Sequence, residues 1–584
     1  MKRSFSTLFI IISILSACTL EPDSKRPFLN LGFEYSVPDN DIPLRWNMWN
    51  PEYDFKLVDR REESGKCFKI ESKHLYSKEF RFFGTLPLDL VLGKEVELRG
   101  KIRVHSVNDG FSGLWCSVSQ CDSTLFFDDM KDRGIKGTTD WQLVSLKVNV
   151  DTQATDINFG GILSGSGTAW FDDFEIFIDG IKLIESDPSV LEPKKEEISS
   201  LQKYIHPLET LDPDVKSNND LEVLDKMIQH AKVIGLGESS HGTSEIFQMK
   251  HRIIRYLAEK HGFDIFSIEA NMPEACEINN YIKGLGSQEI NPIKNMYYGV
   301  WSTHEVRNMI EWMKTYNSAV DRMQFTGFDM QFCDESVKVL ESAFIRNKNV
   351  KSHIKELKNK LTERKDYTKP LSEEESKLIK EKINIKLSLI REGIDQSSMD
   401  TKKKAWLHQN IRILEQYLNL SPAKRDEFMA ENLLWIKDQN PQSKIAVWAH
   451  NGHIKKSGYS MGSHLSKALD EEYLSIGFAF YHGKHTAATG VNYTLSGQKS
   501  KEAYPGTYEY LFNAIEEPLF ILDLREAKKD SSMNGKWLSG DMEFRNAGLT
   551  KQKCEFFRTY LVDDFDLIIF IKESTPTKLL SPSE

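Results

Sequence analysis

The stretch Val233-Ile-Gly-Leu-Gly-Glu-Ser-Ser-His-Gly-Thr-Ser-Glu245, running on into Ile246-Phe-Gln-Met-Lys-His-Arg-Ile-Ile-Arg-Tyr-Leu257, decides how this chain is read. Val233 to Leu236 predicts a short buried strand, and the helical spacing of apolar residues after Thr243 predicts an amphipathic helix. Between them, Gly237 and Gly242 flank a turn that carries Glu238 and His241. An acid and an imidazole at a strand end are poorly explained by packing. The C-terminal ends of parallel strands are where α/β proteins assemble their sites.

The same pattern recurs outward from this stretch. Apolar segments at 232–237, 264–269, 323–329, 444–449, 473–479, 518–523 and 566–571 alternate with helical stretches, the rhythm of a largely parallel sheet. Four of them end on ionisable residues: Glu238 with His241, Glu269, Asp329 with Gln331 beyond it, and His450-Asn-Gly-His453. Burying one such group without a partner costs several kcal/mol, so four arriving together predict a shared site. Between 335 and 440 lies a long Lys-, Glu-, Leu- and Ile-rich insertion whose apolar spacing predicts a packed helical subdomain, a candidate lid for the site.

The remaining chain divides by composition. Residues 1–17 carry Lys2-Arg3 and an apolar run from Leu8 to Leu15, the form of a signal peptide. Leu15-Ser-Ala-Cys18 resembles the lipobox of bacterial lipoproteins, which implies lipid on Cys18, a membrane-anchored protein and an extracytoplasmic location. Residues 18–27 read as a tether. From 28 to 185, period-two alternation with frequent Gly, Asn and Asp predicts an all-β sandwich, and the charged, Pro-containing stretch 186–200 a linker. The second domain spans 201–578. A formal charge of −10 over 584 residues gives no footprint for nucleic acid. Six scattered cysteines beyond Cys18 make no disulfide scaffold, although Cys116 and Cys121 are close enough in sequence to pair.

Three chemistries are compatible with the ionisable cluster. A serine nucleophile at Ser239 or Ser240 lacks the G-x-S-x-G spacing of a nucleophile elbow. A divalent metal held by His241, His450, His453 and the two glutamates suits those residue types, but no HExxH or other tight ligand motif is present. Metal-free hydrolysis needs only a histidine near neutrality acting on water, with carboxylates to orient it. The residues alone leave the last two open.

Gly235-Leu-Gly-Glu-Ser-Ser-His-Gly-Thr-Ser-Glu245, Ile268-Glu-Ala270, Gly327-Phe-Asp-Met-Gln331 and Trp448-Ala-His-Asn-Gly-His453, in this order, resemble the erythromycin esterase family over roughly residues 200 to 575. The resemblance implies hydrolysis of a macrolactone or other small-molecule ester without a cofactor. It implies His241 as general base and Glu238 and Glu269 as the groups that orient it. It further implies His450 and His453 as substrate or oxyanion contacts, with Lys250 and Asp329 as further binding candidates. Lys250 stands where resistance enzymes of the family carry a functional arginine, and lysine keeps the charge without the fork.

The first domain, through Asn30-Leu-Gly-Phe-Glu34 and Trp170-Phe-Asp-Asp-Phe174, resembles galactose-binding-like jelly rolls. That resemblance implies a glycan partner and makes Asp172 and Asp173 candidates for a structural calcium site. Trp46, Trp49 and Trp115 are residues that either stack on sugar rings or fill the core. Two alternatives stay beside the esterase reading: a metal-dependent hydrolase on the same fold, and a non-catalytic glycan-binding surface lipoprotein.

Overall fold

Strict alternation in the first 190 residues builds antiparallel sheet throughout. The computed structural model describes residues 26–581 other than 49–51, 61–63, 75–77, 121–122, 286–295, 297–298, 321, 366–371, 491 and 531–541. The expected signal segment, Cys18, Trp49 and Cys121 therefore lie outside the described residues. The chain divides into two compact units, the first ending at Glu192 and the second beginning at Pro193, with 121–123 set apart from the first. The expected linker is not extended chain: Pro188–Leu191 is a 3-10 turn and Lys195–Leu201 a helix.

In the first unit, strands Asn47–Met48, Glu79–Thr85, Asp156–Ser164, Glu95–Gln120, Thr168–Ile178, Lys66–Ser72 and Tyr53–Asp59 lie side by side in that order. Strand Glu95–Gln120 pairs with Thr168–Ile178 along its first part and with Asp156–Ser164 along its second. The sheet thereby curls over a core of rings in which Phe33 meets Trp46, Phe68, Phe82 and Phe174.

This packing decides between the two roles open to Trp46 and Trp115 in favour of the core. Trp46 and Trp115 are buried, and their indole N–H groups donate to the carbonyls of Asn30 and Phe82, each at 3.0 Å. Buried indoles with a satisfied donor are core residues. The Asp172 and Asp173 carboxylates face cations of the chain. Asp172 pairs with Arg60, and Asp173 lies 2.9 Å from both Arg60 and Lys101. Calcium takes six to eight oxygens. Among the described residues no three His, Cys, Asp or Glu side chains cluster as ligands. Cys116 is a buried free thiol.

In the second unit the expected strands are present, numbered here as β1 Val233–Leu236, β2 Phe263–Asn271, β3 Gln324–Asp329, β4 Lys444–Trp448, β5 Tyr473–Thr489, β6 Leu519–Asp523 and β7 Leu567–Ser574. Their order across the sheet is β6-β7-β5-β1-β4-β2-β3. From β7 to β3 every neighbour is parallel. β6 runs antiparallel to β7, and Ile205–Pro207 antiparallel to β6, so the sheet is mixed.

Both faces are covered, which is why these strands read as continuous apolar runs rather than alternating ones. On β1, Ile234 and Leu236 pack into the same core as Ile246, Phe247, Ile253 and Leu257 of helix α1, Ser244–His261. Val233 points to the other face, with Ile445 and Val447 of β4. The insertion comprises α2 Asp334–Ala343, α3 Lys348–Lys365, α4 Glu373–Asp395, α5 Thr401–Leu418 and α6 Pro422–Gln439. Its earlier helices share a core of their own around Leu357, Ile383, Leu387 and Leu414. α6 differs, because Phe428, Met429, Leu433 and Ile436 pack onto the sheet. It serves as the covering helix between β3 and β4.

Candidate active site

The order β1-β4-β2-β3 places four strand ends in consecutive positions, neighbouring strands being about 4.8 Å apart. Glu238, His450, Glu269 and Asp329 are thereby gathered, although β4 lies about two hundred residues after β1 in sequence. Local chain geometry refines the gathering. The Asn451 amide N–H donates to the Glu238 carbonyl at 2.9 Å, and its side chain bonds both the N–H and the carbonyl of Phe478 on β5. A Cβ on Gly237 would lie 2.0 Å from Asn451 Oδ1, and one on Gly242 2.2 Å from the Thr486 carbonyl oxygen. The two glycines flanking the turn are thus required by close approach.

Glu238 is fully buried and accepts three hydrogen bonds. Oε1 takes His241 Nδ1 at 2.7 Å; Oε2 takes Lys250 Nζ at 2.7 Å and the Trp448 indole N–H at 2.8 Å. With Nδ1–H given to the carboxylate, the lone pair of His241 is on Nε2, the tautomer a general base requires. Nε2 has no protein partner among the described residues, and the side chain is 15% exposed. The ring lies against those of His450, with centroids 4.8 Å apart, and Trp301, at 6.1 Å.

A second cluster adjoins this dyad. Glu269 accepts the His450 backbone N–H on Oε2 at 3.0 Å, and Arg425 Nη2 on Oε1 at 2.9 Å. His453 lies between two carboxylates, with Nδ1 2.8 Å from Asp426 and Nε2 3.3 Å from Glu269. Burial opposes charge on His453, but Glu269 and Asp426 push its pKa up to about 10. It is an imidazolium at neutral pH. Arg425 Nη1, 3.2 Å from the same Nε2, is then a second cation sharing the carboxylates rather than a donor to the ring. Burial also opposes charge on Glu269, yet His453 and Arg425 hold its carboxyl well below the usual range.

His450 is held neutral, its pKa well below the ordinary value, by burial and then by the neighbouring His241 and His453. Its Nε2–H donates to the Ala547 carbonyl at 3.2 Å, and Nδ1 accepts the Gly452 N–H at 3.2 Å. Both ring nitrogens are therefore engaged within the protein. His450 forms the wall behind His241 and contributes its backbone N–H to Glu269.

Two sequence expectations are revised by burial. Lys250 is completely enclosed, with its ammonium on Glu238 and 4.4 Å above the Trp448 ring, so it supports the dyad from behind and does not reach a substrate. Asp329 is likewise enclosed. It accepts Arg425 Nη2 at 2.7 Å, Gln331 Nε2 at 2.7 Å and the Met330 N–H at 2.8 Å, and so anchors the guanidinium. Ser239 and Ser240 are buried, and the Ser240 hydroxyl is bonded to Thr243 at 2.6 Å. Neither is placed as a nucleophile.

Arg425 and Asp426 are the members of this cluster that sequence reading missed. They sit near the start of α6, a few residues after Ser421-Pro422, a helix-start signal that marks the boundary but not the chemistry. A metal fits this donor set poorly. Both nitrogens of His450 and of His453 are bonded, leaving the lone pair of His241 Nε2 alone among the three rings.

Comparison with known proteins gives the family. The erythromycin esterase family model matches residues 258–574. A Bacillus subtilis protein named as a putative hydrolase, YbfO, is 24% identical over 426 residues, covering 65% of this chain and 91% of that one. The erythromycin esterase type II of Escherichia coli is 27% identical over 313 residues, 46% of this chain and 74% of its own length. A crystal structure of a Bacillus cereus protein superposes with a TM-score of 0.56 at 26% identity, over 67% of this chain and all of that one. With more than half of its length matched by the family model, and the strand-end residues gathered in one cluster, the chain belongs to the erythromycin esterase family.

Proposed function

We propose that this chain hydrolyses a carboxylic ester or lactone by direct attack of water, with His241 as general base and without a covalent enzyme intermediate. The observation that carries the reading is the Glu238–His241 bond of 2.7 Å, which leaves the imidazole lone pair on an unpartnered Nε2. Nε2 takes a proton from water as the water oxygen bonds to the carbonyl carbon and the carbonyl electron pair moves onto oxygen. Collapse of that oxyanion breaks the C–O bond, and Nε2–H returns its proton to the departing alkoxide. Arg425, 22% exposed, and His453, 19% exposed, are the cations available to the oxyanion.

The relatives named as erythromycin esterases make a macrolactone the first substrate to test. No metal takes part in this scheme, a view supported by the engaged nitrogens of His450 and His453. The lipobox-like Leu15-Ser-Ala-Cys18 supports an extracytoplasmic, lipid-tethered enzyme, and the jelly-roll likeness a glycan ligand for the first unit.

The test is hydrolysis of macrolides, aryl esters and acylated sugars by wild type and H241N, with and without chelator. We expect chelator-insensitive turnover that falls about 10²- to 10⁴-fold in H241N. Full activity in H241N, or loss on chelation, overturns the mechanism. No turnover across the panel favours a non-catalytic binding protein.

A further inference from the structure

Lys250 has no packing reason to be a lysine. Its ammonium is entirely enclosed, and an apolar side chain of similar length costs less to bury. Every contact of Nζ is to the support of the dyad: Glu238 Oε2 at 2.7 Å, the Ala449 carbonyl at 3.3 Å and the Trp448 ring at 4.4 Å. We infer that Lys250 is a positioning residue that acts through Glu238, its charge offsetting that carboxylate so that His241 is left as a neutral base. The inference rests on the reading of His241 as base.

The electrostatic argument has a definite sign. Glu238 is buried with two candidate counter-ions, the ammonium on Oε2 and the imidazole on Oε1. With the ammonium present, the carboxylate is balanced and does not draw a second proton onto His241. With the ammonium removed, the buried charge is balanced only if His241 becomes an imidazolium, which has no lone pair for water.

The other charges around the dyad do not replace this one. Glu269 on β2 raises the proton affinity of its neighbours. His453, on the turn after β4, and Arg425, on α6, pair with Glu269, Asp426 and Asp329 rather than with Glu238. His450 is neutral. Burial pulls Lys250 down to about 8, against the pull of Glu238 and Glu269, so its charge is present at neutral pH.

The experiment compares wild type, K250M and K250R. It measures kcat/KM from pH 5.5 to 9.5 on an ester the wild type cleaves, and follows the His241 imidazole by 15N NMR, with folding checked by circular dichroism. In K250M the acid limb should rise by about one to three pH units, the span expected when a like charge a few ångströms away is lost. Activity should fall at least tenfold at pH 6.5 and recover toward pH 9, while K250R keeps the limb where it was. A uniform loss at every pH would mean a merely structural role, and an unmoved limb would overturn the inference. K250Q, which keeps a donor to Glu238 but no charge, carries the same test if K250M does not fold. Should no ester be cleaved, the base reading fails, while the NMR titration still decides whether Lys250 governs the protonation of His241.

Discussion

Replacing Arg425 with Met separates what the guanidinium does for stability from what it does for chemistry. The side chain joins α6 to two strand ends, reaching Asp329 at 2.7 Å and Glu269 at 2.9 Å. Removing one partner of a buried ion pair costs about 3 to 5 kcal/mol. Two features reduce that figure here. Arg425 is 22% exposed, so water enters the space it leaves, and Asp329 keeps the Met330 N–H and Gln331 as donors. The expected loss is therefore about 2 to 3 kcal/mol, just below that range. Urea unfolding of the full chain, followed by tryptophan fluorescence, measures it. The double variant R425M/D329N removes the uncompensated carboxylate and should regain at least half of the loss. Its kcat should stay down by about 10²- to 10³-fold, the usual effect of deleting one oxyanion-stabilising group. R425M within about 0.5 kcal/mol of wild type, the range of ordinary surface substitutions, would refute the buried-pair argument. A double variant with wild-type kcat would refute the electrophilic role.

Two further outcomes follow from the same geometry. G242A places a Cβ 2.2 Å from the Thr486 carbonyl oxygen, backbone that cannot swing aside, and should cost about 1 to 3 kcal/mol in a chemical denaturation series. His453, pushed up to about 10, has a folded-state pKa above its ordinary value near 6.5. Its contribution to stability is then fully present below pH 6.5 and lost as pH rises toward 10. The gap in unfolding free energy between wild type and H453N should shrink steadily from pH 7 to pH 10. A gap that is constant or widens would show that the imidazolium is not what Glu269 and Asp426 hold.

Much of the site was legible before the fold. A buried parallel strand reads as a short apolar run, and its end is where the run meets an ionisable residue, so Glu238, Glu269, Asp329 and His450 stood out. Lys250 was half legible. It lies four residues after Ile246 and four before Ile254, on the apolar stripe of α1, a spacing that signals burial, whereas the family resemblance made it a binding candidate. Arg425 and Asp426 were not legible, because a charged pair on a Lys- and Glu-rich helix looks like any solvated face. Trp46, just ahead of the strand Asn47–Met48, and Trp115, within Glu95–Gln120, carried no signal separating a core indole from an exposed one.

The sequence by itself determined which segments become strands and helices and which polar residues stand at their ends, because those depend on local periodicity and turn chemistry. Only the tertiary structure decided which ends become neighbours. Inserting β4 between β1 and β2 brings His450 beside Glu238, and packing α6 onto the sheet brings a guanidinium to Glu269. Such pairings are long-range. They follow from which apolar faces bury best together, and so does the difference between an ammonium that meets substrate and one enclosed behind the base.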